Sequence, residues 1–384
     1  MSCLLGEFPE RLAAAIAADP QTDPANTLHH AAEGLNTIGL PLWRLGLHLE
    51  TLHPTRSGVQ IIWEDGQITQ SERDRAGATG PAYQASPMRI VDDTGRPLRQ
   101  RLVPGGAGFA PLEELATRGG TDYLLHPLPF ADDIRTAAVS FVTQREGGFT
   151  DEDIARLGRA AAVISPFAER AVLRRIALNL LETYVGVRPG MRIYRGQIER
   201  GVPERLEAAV LIGDLRGFTE LSNRASPEAV INLLDNWFDL FGVGVAAAEG
   251  EILKFVGDGV LAIFGAHRGT ADAAARGLKA SRAILAQADA LSIEIGAETV
   301  PVKFGLGLHL GTVLYGNVGT ATRLDFTVIG PAVNLASRIQ DLTKTVPANA
   351  VATAEIVRAL DEPLEKIGRF PVRGFPEPVD LFRI

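Results

Sequence analysis

Two strand-like segments separated by only two residues constrain this chain more than any other feature. Residues 251–256 have the sequence EILKFV and residues 259–264 have the sequence GVLAIF, with Gly257 and Asp258 between them. A two-residue Gly-Asp connection between apolar, β-forming runs is typical of a β-hairpin. The pattern therefore predicts a hairpin that carries the carboxylate of Asp258 at its tip.

A second carboxylate follows an earlier apolar run, AAVLI at residues 208–212, which predicts a central strand buried on both faces. The run ends in Gly213 and Asp214, and Ser226-Pro227-Glu228 then has the pattern of a helix start. Taken alone, Asp214 is equally well explained as a turn residue. Two carboxylates on neighbouring strands, however, would bind a hard divalent cation such as Mg²⁺.

A third segment, LDFTVIGPAVNLASRI at residues 324–339, predicts a strand followed by a helix that begins at Pro331. Asn334 and Arg338 lie four residues apart and therefore share one helix face. An amide and a guanidinium on one face can bind a ribose and a phosphate oxygen. An isolated Asn/Arg pair is more often simply part of a solvated face.

Composition excludes several classes of protein. Among 384 residues, 38 Lys and Arg against 46 Asp and Glu give a net charge of −8, which argues against a nucleic-acid partner. A single cysteine, Cys3, excludes an intrachain disulfide and a Cys-rich zinc site. No apolar run approaches the ~18 residues of a membrane span, and the N-terminus lacks a basic signal-peptide region. We expect a cytoplasmic protein without a membrane partner.

The N-terminal half is predicted to begin with a helix within residues 1–30. Strand patterns follow at Trp43–Leu49 and Val59–Trp63, and they return at 123–128 and 136–143. Residues 65–108 are rich in Gly, Pro and Arg, and this composition predicts long loops with short strands.

A long helix is predicted over residues 151–184, with Thr150 as its N-cap. Pro166 is expected to kink or split this helix. Residues 185–201 are rich in Gly and Arg and have the composition of a connector that follows this helix. The predicted domains are therefore 1–30, 31–170, a helical linker at 171–203, and 204–384.

Four blocks resemble the catalytic domain of the class III nucleotidyl cyclases: LIGDLRGFTELS, EILKFVGDGVLAIFG, GLGLHLGTVLYGNVG and LDFTVIGPAVNLASRI. The resemblance covers residues 204–384 and implies an α+β chain with a ferredoxin-like βαββαβ cyclase domain. The stretch SFVTQREGGFTDEDIARL resembles part of a GAF-type sensor, which implies a GAF-like α/β domain over residues 31–170 that receives an unknown small-molecule or protein signal.

The resemblance to the cyclases also implies residue roles. Asp214, Asp258 and the backbone of Ile212 would hold two Mg²⁺ or Mn²⁺ ions per site. The base would be recognised by Lys254, by Asp325, and by Thr327, which stands where many members carry Asp. Asn334 would orient the ribose and Arg338 would stabilise the reacting phosphorus. Arg323 and Arg373 would contact the triphosphate.

The implied activity is that of an adenylate cyclase, which converts ATP into 3′,5′-cyclic AMP and pyrophosphate. The implied assembly is a head-to-tail homodimer whose active sites lie at the interface. Two alternatives stay open: a cyclase for GTP or a pyrimidine nucleotide, and a catalytically silent module that binds nucleotide.

Overall fold

A computed structural model of the chain describes Glu10, Ala14 and residues 24–77, 80–131, 137–201, 203–360 and 362–384. Most of the predicted helix at 1–30 and Cys3 lie outside these residues. The chain divides into an N-terminal unit, residues 1–183, and a C-terminal unit, residues 184–384.

The N-terminal unit contains a six-stranded antiparallel sheet in the order β3-β2-β1-β6-β5-β4. Its strands are β1 Arg44–Glu50, β2 Arg56–Glu64, β3 Gln67–Asp74, β4 Leu98–Arg101, β5 Asp122–Pro127 and β6 Ala137–Thr143. Its helices are α1 Pro24–Thr37, α2 Pro81–Gln84, α3 Pro87–Thr94, α4 Ala110–Thr117 and α5 Asp151–Val185.

Two apolar clusters enclose this sheet. One joins α1 and α5 to the β1 side chains of Leu45, Leu47 and Leu49. The other joins α3 and α4 to β5 and β6. The alternation of β1 residues between the two faces follows from the two-residue period of a strand, and it directs His48 away from the α1/α5 cluster.

The sequence predictions for this unit are confirmed in part. The four predicted strands correspond to β1, β2, β5 and β6. The helix at 151 begins as predicted, because Asp153 N donates to Thr150 Oγ1 (3.1 Å) and Thr150 N donates to Asp153 Oδ2 (2.8 Å). The prediction of long loops with short strands over residues 65–108 is confirmed for the strands β3 and β4 and wrong for the helices α2 and α3, and Pro166 does not divide α5.

The C-terminal unit begins with a helix, α6 Val187–Tyr194, where the sequence predicted a connector. The strands that follow are β7 Glu204–Leu215, β8 Glu251–Val256, β9 Gly259–Gly265, β10 Ser292–Ile295, β11 Glu298–Pro301, β12 Phe304–Gly319, β13 Leu324–Ile329, β14 Ala350–Thr353, β15 Lys366–Phe370 and β16 Val379–Arg383. The helices are α7 Phe218–Arg224, α8 Pro227–Ala247, α9 Thr270–Leu285, α10 Pro331–Leu342 and α11 Ala354–Ala359.

One mixed sheet organises this unit, in the order β15-β16-β14-β12-β7-β9-β8, and β13 pairs with β12. Its centre is antiparallel, with β7 between β9 and β12. On one face α8 and α9 pack against Ala209 and Leu211. On the other face the α10 residues Ala332 and Ala336 pack with Ala208 and Val210. The unit is thus mixed α+β, with the central strand β7 leading directly to Asp214.

Helix α8 is the one helix in the described ranges that is long and apolar enough to cross a membrane, by length and composition alone. Polar residues interrupt its apolar sequence, so it contains no uninterrupted apolar run of that length. Trp237 and Phe241 of this helix are fully buried in the core of the unit. A core helix of a globular domain passes the same test, so α8 is weak evidence for a membrane span.

Candidate active site

Asp214 and Asp258 lie side by side, as the sequence predicts for carboxylates at neighbouring strand ends. Asp214 is the penultimate residue of β7, and Asp258 occupies the two-residue turn between β8 and β9. The turn is possible because Gly257 adopts a φ of +62°. The backbone N of Leu215 donates to Asp258 Oδ2 across 3.1 Å. The residue after Asp214 therefore fixes the carboxylate of Asp258.

A tryptophan fixes the same turn from the opposite face of the sheet. The indole Nε1 of Trp237 donates to the carbonyl oxygen of Asp258 across 2.8 Å. Room for this indole depends on Gly213, where a Cβ atom would lie 2.5 Å from the Phe241 ring and 3.1 Å from the Trp237 ring. The glycine before Asp214 is thus required by the packing of α8.

The two carboxylates repel each other. Partial burial raises the pKa of Asp214, and the neighbouring charge of Asp258 raises it further. Lys344 opposes this shift, because its Nζ lies 3.9 Å from Asp214 Oδ2 and 3.0 Å from Asp341 Oδ1. Such a pair of close carboxylates is the electrostatic environment in which a bound cation is most favourable.

The donor set fits a magnesium-type site that is only partly built from protein. Among the residues that the structure describes, no group of three or more His, Cys, Asp or Glu side chains could hold a metal ion. Mg²⁺ commonly binds through one or two carboxylates, with water and substrate phosphates completing its six ligands. Asp214 and Asp258 meet that requirement. Ile212 lies two residues before Asp214, on the same face of β7.

The three predicted base-recognition residues fall into one neighbourhood. Lys254 on β8 forms an ion pair with Asp325 on β13. Thr327 lies two residues beyond Asp325, on the same side of that strand. Its hydroxyl oxygen is buried and has no hydrogen-bond partner in the described part of the chain. An unsatisfied buried hydroxyl is unfavourable, so this group is suited to an incoming ligand.

Asn334 and Arg338 both lie on the exposed side of α10, on one face as their spacing predicts. The guanidinium of Arg338 lies 3.8 Å from Asp341 Oδ2. Asp341 also contacts Lys344, which approaches Asp214. A continuous line of charged groups therefore runs from Arg338 to the carboxylate pair.

Arg323 and Arg373 lack contacts that would fix their side chains. Arg323 lies just before β13, and Arg373 lies between β15 and β16. Both side chains are exposed, and neither makes a hydrogen bond or ion pair with another described residue. They are available to an anionic ligand, but the protein does not orient them.

Sequence reasoning missed two residues of this site. Trp237 stands among the apolar residues of α8 without any local motif, because its hydrogen bond crosses from α8 to the β8–β9 turn. Lys344 follows α10 in the sequence DLTKTV, which carries no motif. No signal in the sequence indicated its approach to Asp214, because the two residues are 130 positions apart (344 − 214).

Comparison with known proteins shows which family the C-terminal part of the chain matches. Residues 203–382 match the family model of the adenylate and guanylate cyclase catalytic domain. The chain is 33% identical to an adenylate cyclase of Anabaena cylindrica over 194 residues, which are 49% of this chain and 38% of that protein. It is 29% identical to adenylate cyclase 1 of Rhizobium meliloti (strain 1021) over 183 residues, 47% of this chain and 28% of that protein.

Among solved structures, the adenylyl cyclase CyaB from P. aeruginosa is 30% identical, with 47% of this chain and 94% of that chain covered and a TM-score of 0.41. The chain spans well under half the length of the two curated relatives named above. The family model covers the C-terminal part of the chain, residues 203–382. Residues 203–382 therefore form an adenylate and guanylate cyclase catalytic domain.

Proposed function

We propose that this protein is an adenylate cyclase, which converts ATP into 3′,5′-cyclic AMP and pyrophosphate. The observation that carries the proposal is the carboxylate pair Asp214 and Asp258, held in place by the Leu215 amide and the Trp237 indole. The pair stands within the matched cyclase domain, and a purely structural role would not require two repelling carboxylates at one edge.

The chemistry asks for positioning and charge stabilisation rather than for a protein nucleophile. The ribose 3′-oxygen attacks the α-phosphorus of the same nucleotide, and pyrophosphate leaves. Two divalent cations, when bound, activate the attacking oxygen and neutralise the leaving group. Asp214 and Asp258, with the backbone of Ile212, would hold them. Asn334 orients the ribose, Arg338 pairs with charge on the transferring phosphoryl oxygens, and Arg323 and Arg373 contact the triphosphate.

Adenine is the proposed base because Lys254 presents an ammonium group. An ammonium only donates hydrogen bonds, and the unprotonated ring nitrogens of adenine accept them. Thr327 supplies a hydroxyl that can donate or accept, and its oxygen lacks a partner in the described chain. Asp325 holds Lys254 in place through their ion pair.

Guanine is the second candidate, and one observation favours it. Asp325 offers a carboxylate acceptor beside Lys254, and a carboxylate suits the protonated N1 and the amino group of guanine. A catalytically silent module that binds nucleotide is the third candidate. Formation of any cyclic nucleotide by the purified chain would exclude it.

We further propose that the active sites lie at the interface of a homodimer. Apolar side chains are exposed beside the carboxylates, with Phe255 50% and Val256 66% exposed immediately before the Gly257-Asp258 turn. In one chain Lys254 and Arg338 have carboxylate partners of their own, Asp325 and Asp341. A second chain that covers Phe255 and Val256 would bring a second set of these residues to the carboxylate pair.

The N-terminal unit is proposed to be a GAF-like sensor that regulates the cyclase, and the C-terminal core a ferredoxin-like βαββαβ arrangement. The six-stranded antiparallel sheet, covered by helices on both faces, supports the first proposal. The succession β7-α8-β8-β9-α9-β12, with strand order β12-β7-β9-β8, supports the second. A cytoplasmic location, and the lack of membrane and nucleic-acid partners, stay predictions.

A nucleotide panel tests the proposal. The full chain is incubated with radiolabelled ATP, GTP, CTP or UTP and with Mg²⁺ or Mn²⁺, and the cyclic products are resolved. We expect cyclic AMP as the main product and none from Asp258→Asn. Cyclic GMP as the main product would favour the guanine reading. If the folded protein forms no cyclic product from any nucleotide, the proposal of an active cyclase is wrong and the catalytically silent module is favoured.

A further inference from the structure

The N-terminal unit contains a cavity of about 600 Å³. It lies between the sheet face that carries His48 and the helices α2, α3 and α4, whose residues line it. Sites for small organic ligands have volumes of roughly 300–1,000 Å³ and combine apolar walls with a few polar groups. The apolar wall here includes Met88, Leu112 and Leu115. The size and lining are those of a ligand site rather than of a packing defect.

Two polar side chains on the sheet side of the cavity lie close to each other. His48 Nε2 lies 3.0 Å from Ser140 Oγ. Both groups lie beside Gly46, where a Cβ atom would be 2.5 Å from Ser140 Oγ and 3.2 Å from His48 Nε2. Any other residue at position 46 would displace this pair. The sequence therefore keeps a glycine in the middle of a buried strand, where glycine is otherwise unfavourable.

The imidazole contributes hydrogen bonding but no charge. Burial, together with the positive charges of Arg73 and Arg44, lowers the pKa of His48 to about 3. The ring is therefore neutral at physiological pH. The positive charge at this end of the cavity comes from the two guanidinium groups. That of Arg44 is balanced by Glu64, 3.6 Å away.

The positive charge of Arg73 has no carboxylate partner of this kind among the described residues. No ion pair joins it to a residue in the described ranges, and its Nε is buried without a hydrogen-bond partner. Its guanidinium lies over Gly58, where a Cβ atom would be 2.8 Å from Arg73 Nη2. The carboxylates of Glu50, Asp74 and Asp92 also line the cavity, and Arg73 Nε still lacks an acceptor among the described residues. A buried donor without an acceptor is unfavourable, so the site lacks one anionic group.

We propose that this cavity binds a small organic anion, a carboxylate or a phosphate monoester on an aromatic body. Arg73 pairs with the anionic group, as guanidinium groups do with both anions. His48 and Ser140 hydrogen bond to the ligand, and Met88, Leu112 and Leu115 contact its apolar body. The inference deepens the proposed sensor role, but it concerns binding and is tested by binding, so it can fail or succeed whatever the cyclase activity is.

The test measures the thermal stability of the full-length chain with two anionic probes, benzoate and phenyl phosphate, at millimolar concentration. Benzamide and phenol are the uncharged controls. A ligand that binds only the folded state raises the melting temperature, and the rise grows with the logarithm of its concentration relative to its Kd. We expect a concentration-dependent rise with at least one anion and none with the uncharged compounds. The two anionic arms distinguish a carboxylate site from a phosphate site.

Two variants and a matched control locate the binding. Arg73→Met keeps the apolar stem and removes the charge, so affinity should fall about ten-fold or more. Ala82→Trp places a large ring at an exposed position that lines the cavity, and should block binding without touching the sheet. Arg89→Met removes an exposed arginine that pairs with Asp93 outside the cavity, and should bind like the wild type.

The melting temperatures of the wild type and the three variants together test whether the cavity binds an anion. A rise with either anion that is lost in Arg73→Met and Ala82→Trp, and kept in Arg89→Met, supports the proposal. No rise with both anions, an equal rise with the uncharged compounds, or binding that Arg73→Met retains would overturn it.

Discussion

The indole Nε1 of Trp237 donates a hydrogen bond to the main-chain carbonyl of Asp258 across 2.8 Å, and the Trp237 side chain is fully buried. Asp258 itself belongs to a two-residue turn, so its position depends on what holds the turn. Two contacts do so, the indole on the carbonyl and the Leu215 amide on the carboxylate. Trp237 is therefore a positioning residue for the proposed site.

Trp237→Phe should reduce cyclic nucleotide formation by about ten- to a hundred-fold, since misplacement of a reacting group by ~1 Å can cost that much. The free energy of unfolding should fall by about 1–3 kcal/mol, because the carbonyl loses its partner and a small cavity opens. Turnover and thermal melting of the purified chain measure the two effects.

Trp43→Phe is the matched control. It also removes an indole hydrogen bond to a turn residue, here Asp65 Oδ2 at 3.2 Å, but in the N-terminal unit. If Trp237→Phe loses no more activity than Trp43→Phe, the indole does not position Asp258 for the reaction.

Asp214→Asn should abolish cyclase activity while leaving the fold at least as stable as in the wild type. The partly buried carboxylate of Asp214 lies against Asp258, and both effects raise its pKa. Its charged form thus opposes folding in metal-free buffer, and the neutral amide removes that repulsion. Activity assays and melting curves without added metal check the prediction. Asp235→Asn, at an exposed position of α8, is the control and should change neither quantity.

Contacts between residues that are close along the chain could be predicted from the sequence. Contacts between distant residues could not. The β8–β9 turn, the capping pair Thr150/Asp153 and the start of α10 at Pro331 follow from local rules of two to four residues. The contact of Trp237 with Asp258 depends on how α8 packs across the sheet. That packing involves Gly213, a residue whose sequence context indicated only a strand end.

The errors have a similar physical origin. Over residues 65–108 the prediction of long loops with short strands missed the helices α2 and α3, whose 4 and 8 residues are too few to show a helical apolar pattern. The strand β3 is an exposed edge strand, which needs no apolar pattern. Residues 187–194 form α6 despite containing Gly190 and Pro189, since proline is tolerated in the first turn of a helix. The roles assigned to Lys254, Thr327, Asn334 and Arg338 stay predictions.

Mixing two inactive variants tests the shared site. Asp214→Ala removes a proposed metal ligand, and Arg338→Ala removes the proposed phosphoryl contact. If each site takes these residues from different protomers, a heterodimer of the two variants contains one intact site. We expect each variant to be inactive alone and the mixture to regain a fraction of wild-type turnover. A mixture that stays inactive, although crosslinking demonstrates subunit exchange, would contradict the head-to-tail arrangement.

The stability of the chain should fall as pH is lowered from about 6.5 towards 3, in part because of His48. The folded pKa of His48 is lowered to about 3 by burial and by Arg73 and Arg44, against 6.5 for the free side chain. A base whose folded pKa is lowered stabilises the fold above its unfolded pKa, and this stability is lost as pH falls through the interval. His48→Gln should flatten that part of the melting-temperature profile. His53→Gln, at a partly exposed position, is the control for the substitution itself.

The last prediction concerns the end of α5. Asn179 is buried and its Nδ2 donates to Thr51 Oγ1 across 2.9 Å, which fixes the helix to its own unit up to that turn. Beyond it, Leu180 is 40% and Tyr184 is 81% exposed. Exposed apolar side chains at helical spacing are typical of a helix that pairs with a second copy. We expect this stripe to align the two protomers and so to set the geometry of a site that both of them build.

One alanine inserted after Glu182 leaves the Asn179 contact intact and rotates the residues that follow by about 100°. We expect turnover of the full-length chain to change by at least ~3-fold, because a shared site is sensitive to displacements of ~1 Å, and we expect the ratio of cyclic AMP to cyclic GMP to stay the same. The matched control is one alanine after Gly296, in the β10–β11 turn, where φ is +64° and a Cβ atom would meet no neighbour within 4 Å. Both insertions are assayed as dimers verified by light scattering. Unchanged turnover after the Glu182 insertion would show that the end of α5 is a passive tether, and an equal change after the Gly296 insertion would show that any insertion perturbs the cyclase domain.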